Sequence, residues 1–541
     1  MAEQREEIGI LLVHGMGEQK QREHLRGSAR EMASFVVAAP GVVRVSVVDE
    51  SEKLGRIIID AVRVRGGAEV RTRLHLQEAW WSDLGISGGP WEQVKFWFWG
   101  LGQWAARAIR KGDRTRNTEK LMAMPRFGYQ KDPTDPPGAW RELPSRLLLI
   151  GAALLAILTF FTWSVAKQVV TLLSKRMPEP SLIFMFLGDV KIYERPGGHG
   201  KGTLLDPDQP MRATIRRRVI GAMTAMAART DLDRWYVFAH SLGTIPAYNA
   251  LQETELALPN YLSEAEWADL PLEFKTKTPF APPGEEPSTN KMMPRRPAWL
   301  DRRDGIDRGR LFERFAGLVT YGSPLDKFAA LWPRVVPLNR QAAVFPPECE
   351  WVNIHDPTDP VSAKLDAFAA PQNSAGAKPG RIALEPKNYP CRASPIFGLS
   401  HIRYFRPRAR SARSMPAAIA ESLLAGPEAR LSEAAAGAAV SAPEAWLRTF
   451  AALVQVALLG AALTAAAAAL LTALGKALPD RAAAAVYRTI DSLCPALATV
   501  LQAGGLRAWE AAMFIVLIGA LLAILLAGSL RALTEGSGRH G

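Results

Sequence analysis

A chain of 541 residues has room for one large domain and appendages. It is apolar and basic, with 48% hydrophobic residues and a formal net charge of +13; no aromatic RNA-binding motif, zinc-finger spacing or DNA-reading helix accompanies that charge, which sets nucleic acid aside and leaves an anionic lipid leaflet as the expected partner. Cys349, Cys391 and Cys494 are too few and too scattered for a disulfide framework or a metal site, and the opening MAEQREEIGILLVHG has too short an apolar run for a signal peptide, so a reducing compartment is expected for the large domain and no metal or cofactor is called for.

In chain order, the apolar run Ile8 to Val13 reads as a buried strand and ends in His14-Gly15-Met16-Gly17. Val42 to Val48 and Leu74 to Trp81 read as further strands, which closes a first part of the domain over residues 1–87. Residues 88–178 read as a membrane-associated insertion, with an aromatic interfacial or spanning helix over 91–109 and a spanning helix over 147–173 whose apolar part is Leu147 to Ala166. Strands before and after this insertion must join one sheet, so a single crossing is impossible. Either both segments cross, or one or both lie in the interface.

The domain resumes over residues 179–410, and Met211 to Ala228 has helical spacing with a basic face. Leu251 to Arg310 is rich in Pro and charge and reads either as a lid, with Trp267, Phe274 and Trp299 as contacts, or as a surface insert. Gly317 to Tyr321 is a strand ending in Gly322-Ser323-Pro324-Leu325, and Glu350 to His355 is a strand ending in Asp356-Pro357-Thr358-Asp359-Pro360-Val361. Arg403, Arg406, Arg408, Arg410 and Arg413 form a basic cluster, 411–445 reads as an Ala-rich linker, and 446–541 as a transmembrane hairpin built from Thr449 to Gly475 and Ala511 to Leu530. Together these segments predict a multi-pass membrane protein, placed in a bacterial inner membrane with its catalytic domain cytoplasmic.

The chemistry concentrates at Trp235 to Gly243, WYVFAHSLG. An apolar strand that turns abruptly into a helix puts its central residue in a strained conformation, tolerable only between small neighbours two positions away. Ala239 and Gly243 meet that demand around His240, Ser241 and Leu242. A serine hydroxyl is a weak nucleophile until a base takes its proton and donors receive the oxyanion. His401 supplies an imidazole late in the chain; Asp359 is the favoured acid, with Asp356 and Asp326 as alternatives.

These blocks, in the order Ser241, Asp359, His401, resemble an α/β-hydrolase of the lipase or esterase type. The segments Asn353 to Val361, Gly322 to Leu325 and Gly188 to Tyr193 are further similar to stretches of the DDHD-type intracellular phospholipases A1, although no matching acidic and histidine cluster follows His401. The resemblance implies a mostly parallel sheet flanked by helices, with the membrane helices inserted and at the C-terminus. It implies an oxyanion hole from the backbone N–H groups of Met16 and Leu242, and makes His14, with Gly15, a structural hydrogen-bonding residue of the oxyanion loop. The activity so implied is cleavage of a carboxylic, preferentially lipid, ester through an acyl-enzyme on Ser241. A non-catalytic membrane adaptor on a hydrolase shell, or an acyltransferase with the same nucleophile, are the alternatives.

Overall fold

The structure is a computed structural model that describes residues 4–15, 20–84, 211–278, 294, 296–331, 335–336, 345–359, 361–368, 384–395, 399–405, 414–452 and 454–455. The chain divides into two compact units, one made of Met1–Phe96 and Ser181–Ala445, the other of Trp97–Pro180 and Trp446–Gly541. In the second unit the described residues are helical.

The first unit is built on the strands β1 (Gln4–Val13), β2 (Val42–Glu50), β3 (Arg56–Arg65), β4 (Ala68–Ala79), β5 (Arg234–His240), β6 (Lys275–Lys277), β7 (Asp304–Ile306), β8 (Phe315–Tyr321), β9 (Glu350–His355) and β10 (Pro386–Pro390). Eight of them form one sheet in the order β10-β9-β8-β5-β1-β4-β3-β2, while β6 and β7 pair only with each other. β1 runs parallel to β4 and β5, and the parallel pairing continues through β8, β9 and β10; β3 is antiparallel to both of its neighbours.

Central parallel strands are covered on both faces, which is why they read as near-continuous apolar runs. Ile8, Ile10, Leu11 and Val13 of β1 and Trp235, Val237, Phe238 and Ala239 of β5 are all buried. The main covering helices are α1 (Glu23–Val37), α2 (Met211–Ala227), α3 (Thr244–Leu251), α4 (Met415–Leu424) and α5 (Leu431–Ala438). α1, α4 and α5 share one core with Ile8, Ile10, Leu12, Ile57, Ile59, Leu74, Leu76 and Phe238. On the opposite face α2 packs on β1 and β4 and α3 on β5, and Tyr248 of α3 meets Trp351 of β9 at 5.6 Å between ring centroids. The result is a mostly parallel α/β sandwich. Its parallel register brings the C-terminal ends of β1, β5, β8 and β9 level, since Val13 pairs with Ala239, His240 with Tyr321, and Tyr321 with Ile354. That edge is where open parallel sheets place their sites.

Several expectations change. Residues 411–445 are not a featureless linker: α4 and α5 lie there, and Ile419, Leu423, Leu431 and Ala435 are buried in the sheet's core. Alanine-rich composition reads as a linker, but its small side chains equally allow close packing, and each buried Ile or Leu contributes about 1.5–3 kcal/mol. The described parts of 251–310 are folded rather than irregular. Ser263 and Glu266 form a capping box on the helix Glu264–Asp269, Phe274 is buried, and Arg296 donates to the carbonyls of Leu256 and Asp304. The strands β3 and β10 escape a reading by apolar runs because Asp60, Arg63, Arg65, Lys387 and Asn388 interrupt them.

The multi-pass membrane localisation is also corrected. Among the described residues no helix is long and apolar enough to cross a membrane. α2, at 17 residues, carries Arg212, Arg216, Arg217 and Arg218 and uses its apolar stripe on the sheet. The segments Trp91 to Ile109, Leu147 to Ala166 and Ala511 to Leu530, the part of Thr449 to Gly475 beyond residue 455, and Arg406, Arg408, Arg410 and Arg413 of the basic cluster lie outside the described residues.

Candidate active site

β5 ends at His240, and Ser241 takes φ = +53° before the chain passes through the single 3-10 turn Ser241–Gly243 into α3. This is a left-handed conformation for a residue with a side chain, and in the first unit only Arg22 shares it among described non-glycine residues. The bend is so tight that a methyl group on Gly243 would stand 2.2 Å from the His14 carbonyl oxygen, and one on Gly15 would stand 2.7 Å from Ser241 Cβ. Both positions therefore require glycine. Ala239, two residues before the serine, is fully enclosed without conflict, so the extra methyl is accommodated.

Three side chains from three separate loops meet at this bend. His401 Nε2 lies 2.7 Å from Ser241 Oγ, and His401 Nδ1 lies 3.0 Å from Asp359 Oδ2. A carboxylate can only accept, so Nδ1 carries the proton and Nε2 accepts the serine hydroxyl proton. Asp359 is buried, and its charge is met by three donors: His401 Nδ1–H and the Tyr404 hydroxyl, at 2.7 Å, both on Oδ2, and the Val361 N–H at 2.8 Å on Oδ1. Burial alone would push this carboxyl up. The hydrogen bond and charge of His401, followed by the Tyr404 and Val361 bonds, overcome that and hold it at about 2.

The alternatives for the acid are placed elsewhere. Asp356 accepts from Thr358 N–H and Thr358 Oγ1 through Oδ1 and from the Ala393 and Ser394 N–H groups through Oδ2, so its carboxylate organises the loop backbone. Asp326 lies in the first turn of the helix Leu325–Leu331, 3.6 Å from Lys327 Nζ.

His14 is buried. Its Nε2 accepts from the Trp81 N–H at 3.0 Å, so Nδ1 bears the proton and donates to the Gly15 carbonyl at 2.6 Å, while the ring stacks on Trp81. Burial, then the nearby His24, holds it neutral with a pKa of about 3. Leu242, the expected oxyanion donor after the nucleophile, is buried in the 3-10 turn; Met16 and Gly17 lie outside the described residues.

The structure adds residues that pattern reading did not single out. Tyr404, three positions after His401, bonds Asp359, accepts from the Asp356 N–H at 3.0 Å and lies 2.8 Å from Ser362 Oγ, so one phenol ties the Asp359 loop to the His401 loop. A second chain runs from the Leu325 N–H to Ser323 Oγ, from Ser323 Oγ to Thr244 Oγ1, and from Thr244 Oγ1 to the Ser241 carbonyl at 2.7 Å. It fixes the Ser241 backbone from the Gly322-Ser323-Pro324-Leu325 loop. The H-x-x-Y spacing and the small polar residue after β8 were the available signals, but neither implies a partner without the fold. Among the described residues no group of His, Cys, Asp or Glu could hold a metal ion.

Comparison with known proteins adds no relative: no protein-family model, no curated protein and no solved structure matches this chain.

Proposed function

We propose that this protein is a serine hydrolase of the α/β-hydrolase type that cleaves carboxylic esters through an acyl-enzyme on Ser241. The observation that carries the reading is the unbroken series Ser241 Oγ, His401 Nε2, His401 Nδ1, Asp359 Oδ2, at 2.7 and 3.0 Å, raised on a left-handed bend at the C-terminal edge of a parallel sheet. The mostly parallel eight-stranded sheet supports it, as does the presence of a glycine at each point where the elbow touches the β1 loop.

In this reading His401 Nε2 takes the Ser241 proton as Oγ attacks the ester carbonyl carbon. The carbonyl π pair becomes an oxyanion facing the Leu242 N–H and, on the family pattern, that of Met16. The imidazolium is stabilised by Asp359 and returns its proton to the departing alkoxide as the ester C–O bond breaks. Water then repeats the sequence on the acyl-enzyme, giving the acid and free Ser241.

A fluorophosphonate probe tests this directly. Wild-type protein is expected to be labelled at Ser241 by peptide mapping and to hydrolyse short-chain p-nitrophenyl esters, and Ser241→Ala to lose both. Labelling at another residue, or unchanged labelling of folded Ser241→Ala, removes the assignment.

A further inference from the structure

We propose that His240, the residue preceding the nucleophile, is a positioning residue that holds the backbone of His401 in place against Ser241. This inference rests on the serine hydrolase reading for its kinetic consequence, and on geometry for its structural one.

Two histidines stand beside Ser241, and their hydrogen bonds give them different tasks. His401 presents a proton-accepting nitrogen to Ser241 Oγ. His240 Nε2 lies 2.8 Å from the backbone carbonyl oxygen of His401. A carbonyl can only accept, so that nitrogen carries the proton and donates it. Consecutive residues of the elbow therefore grip one residue 160 positions away: Ser241 meets its side chain, His240 its main chain.

The base needs such a grip because its local structure is slight. His401 belongs to the single 3-10 turn Leu399–Ile402, closed by the Arg403 N–H on the Ser400 carbonyl. One turn contributes few backbone bonds of its own. The two bonds of the imidazole fix the ring only as well as the backbone beneath it is fixed, and productive proton transfer depends on placement to within about half an ångström. The bond from His240 gives the carbonyl of that turn a partner on the most rigid element nearby, the end of β5.

The fold also builds a slot for the ring. His240 stacks on Tyr321 at 4.9 Å with an 18° tilt, and meets Tyr404 edge-on at 6.2 Å. Gly322, with φ = +64°, lies so close that a methyl group there would be 3.3 Å from His240 Nε2 and 3.0 Å from Tyr404. Neutrality is part of the task, since the His240 and His401 rings are 5.2 Å apart and a charged His240 would oppose the imidazolium that His401 must become. Burial, then the charge of His401, lowers the His240 pKa and keeps the donor neutral.

Two variants separate the hydrogen bond from mere filling of space. His240→Leu removes the donor; His240→Gln keeps an N–H at a comparable reach. Leu is expected to lower kcat for a p-nitrophenyl ester, and the rate of fluorophosphonate labelling, by 10- to 100-fold as an order of magnitude, with KM little changed. Gln is expected to restore most of that loss. Hydrogen exchange of the peptide containing residues 399–405 is the second readout: it should quicken in Leu and return toward wild type in Gln, whether or not the protein turns over an ester. Unchanged exchange in His240→Leu overturns the inference. So does a Gln variant as impaired as Leu while both retain wild-type thermal stability. Loss of Ser241-dependent labelling in the wild type would sink the hydrolase reading alone, and the exchange result would still decide whether His240 anchors the turn.

Discussion

The two halves of the candidate site are held by different forces. At the elbow, Gly15, Gly243 and Ser241 are set by steric contact, with the end of β1 and its loop so close to the 3-10 turn after β5 that no side chain fits between them. Around the acid and base, Asp359, His401 and Tyr404 are set by hydrogen bonds that join loops after β9 and β10. A contact-limited region fails abruptly when a methyl is added, because dense packing has nowhere to put it. A hydrogen-bonded region fails by degrees, one partner at a time.

That contrast can be broken or sharpened by substitution. The largest effect expected is in the hydrogen-bonded half: Asp359→Asn keeps the shape but removes the charge that fixes the His401 tautomer, and kcat should fall by on the order of 10⁴. A tenfold loss or less would mean that Asp359 is not the acid. In the contact-limited half, Gly243→Ala has to displace the His14 carbonyl, which lies 2.2 Å from the new methyl, and should cost about 3 kcal/mol of stability, read by denaturant unfolding. Gly15→Ala instead presses on Ser241 Cβ at 2.7 Å, so its damage should fall on kcat, by about 100-fold, with a smaller loss of stability. A Gly15→Ala variant with wild-type turnover would show that the elbow is not contact-limited.

Two smaller effects test the acid's surroundings. Asp359 titrates at about 2 against an ordinary 3.8, so its ionisation favours the folded state above roughly pH 4. That contribution, about 2 kcal/mol, is lost as the pH falls from about 4 to 2. Urea midpoints measured across this window should fall more steeply in wild type than in Asp359→Asn. Tyr404→Phe removes one of the three donors to Asp359 and leaves the Asp356 N–H without that acceptor. It should lower kcat about tenfold and raise the Asp359 pKa, so that the stability lost between about pH 4 and 2 is smaller than in wild type.

The elbow was legible in the sequence because its determinants are neighbours along the chain. An apolar strand, a small residue on either side of Ser241 and a glycine after H-G-x each announce a local steric requirement. The mostly parallel α/β sheet was legible for the same reason, since Ile8 to Val13 and Trp235 to Ala239 are continuous apolar runs. β3 and β10 were not, because their charged and amide residues are satisfied across the sheet: Asp60 by Arg71 and Arg73, Asn388 by Asn353. α4 and α5 were hidden in an alanine-rich stretch whose burial depends on what it packs against.

What the sequence determined alone is the bend at Ser241 and the strands that lead into it, because steric limits on φ and alternation of apolar residues act over a few bonds. Which carboxylate faces His401, what holds that carboxylate, and which histidine faces Ser241 Oγ while the other donates to a carbonyl were decided only by the tertiary structure. Asp356 and Asp359 sit in one loop with similar neighbours, and His240 and His401 carry the same ring. Direction and distance separate them, and those come from loops brought together across 42 to 161 residues of chain.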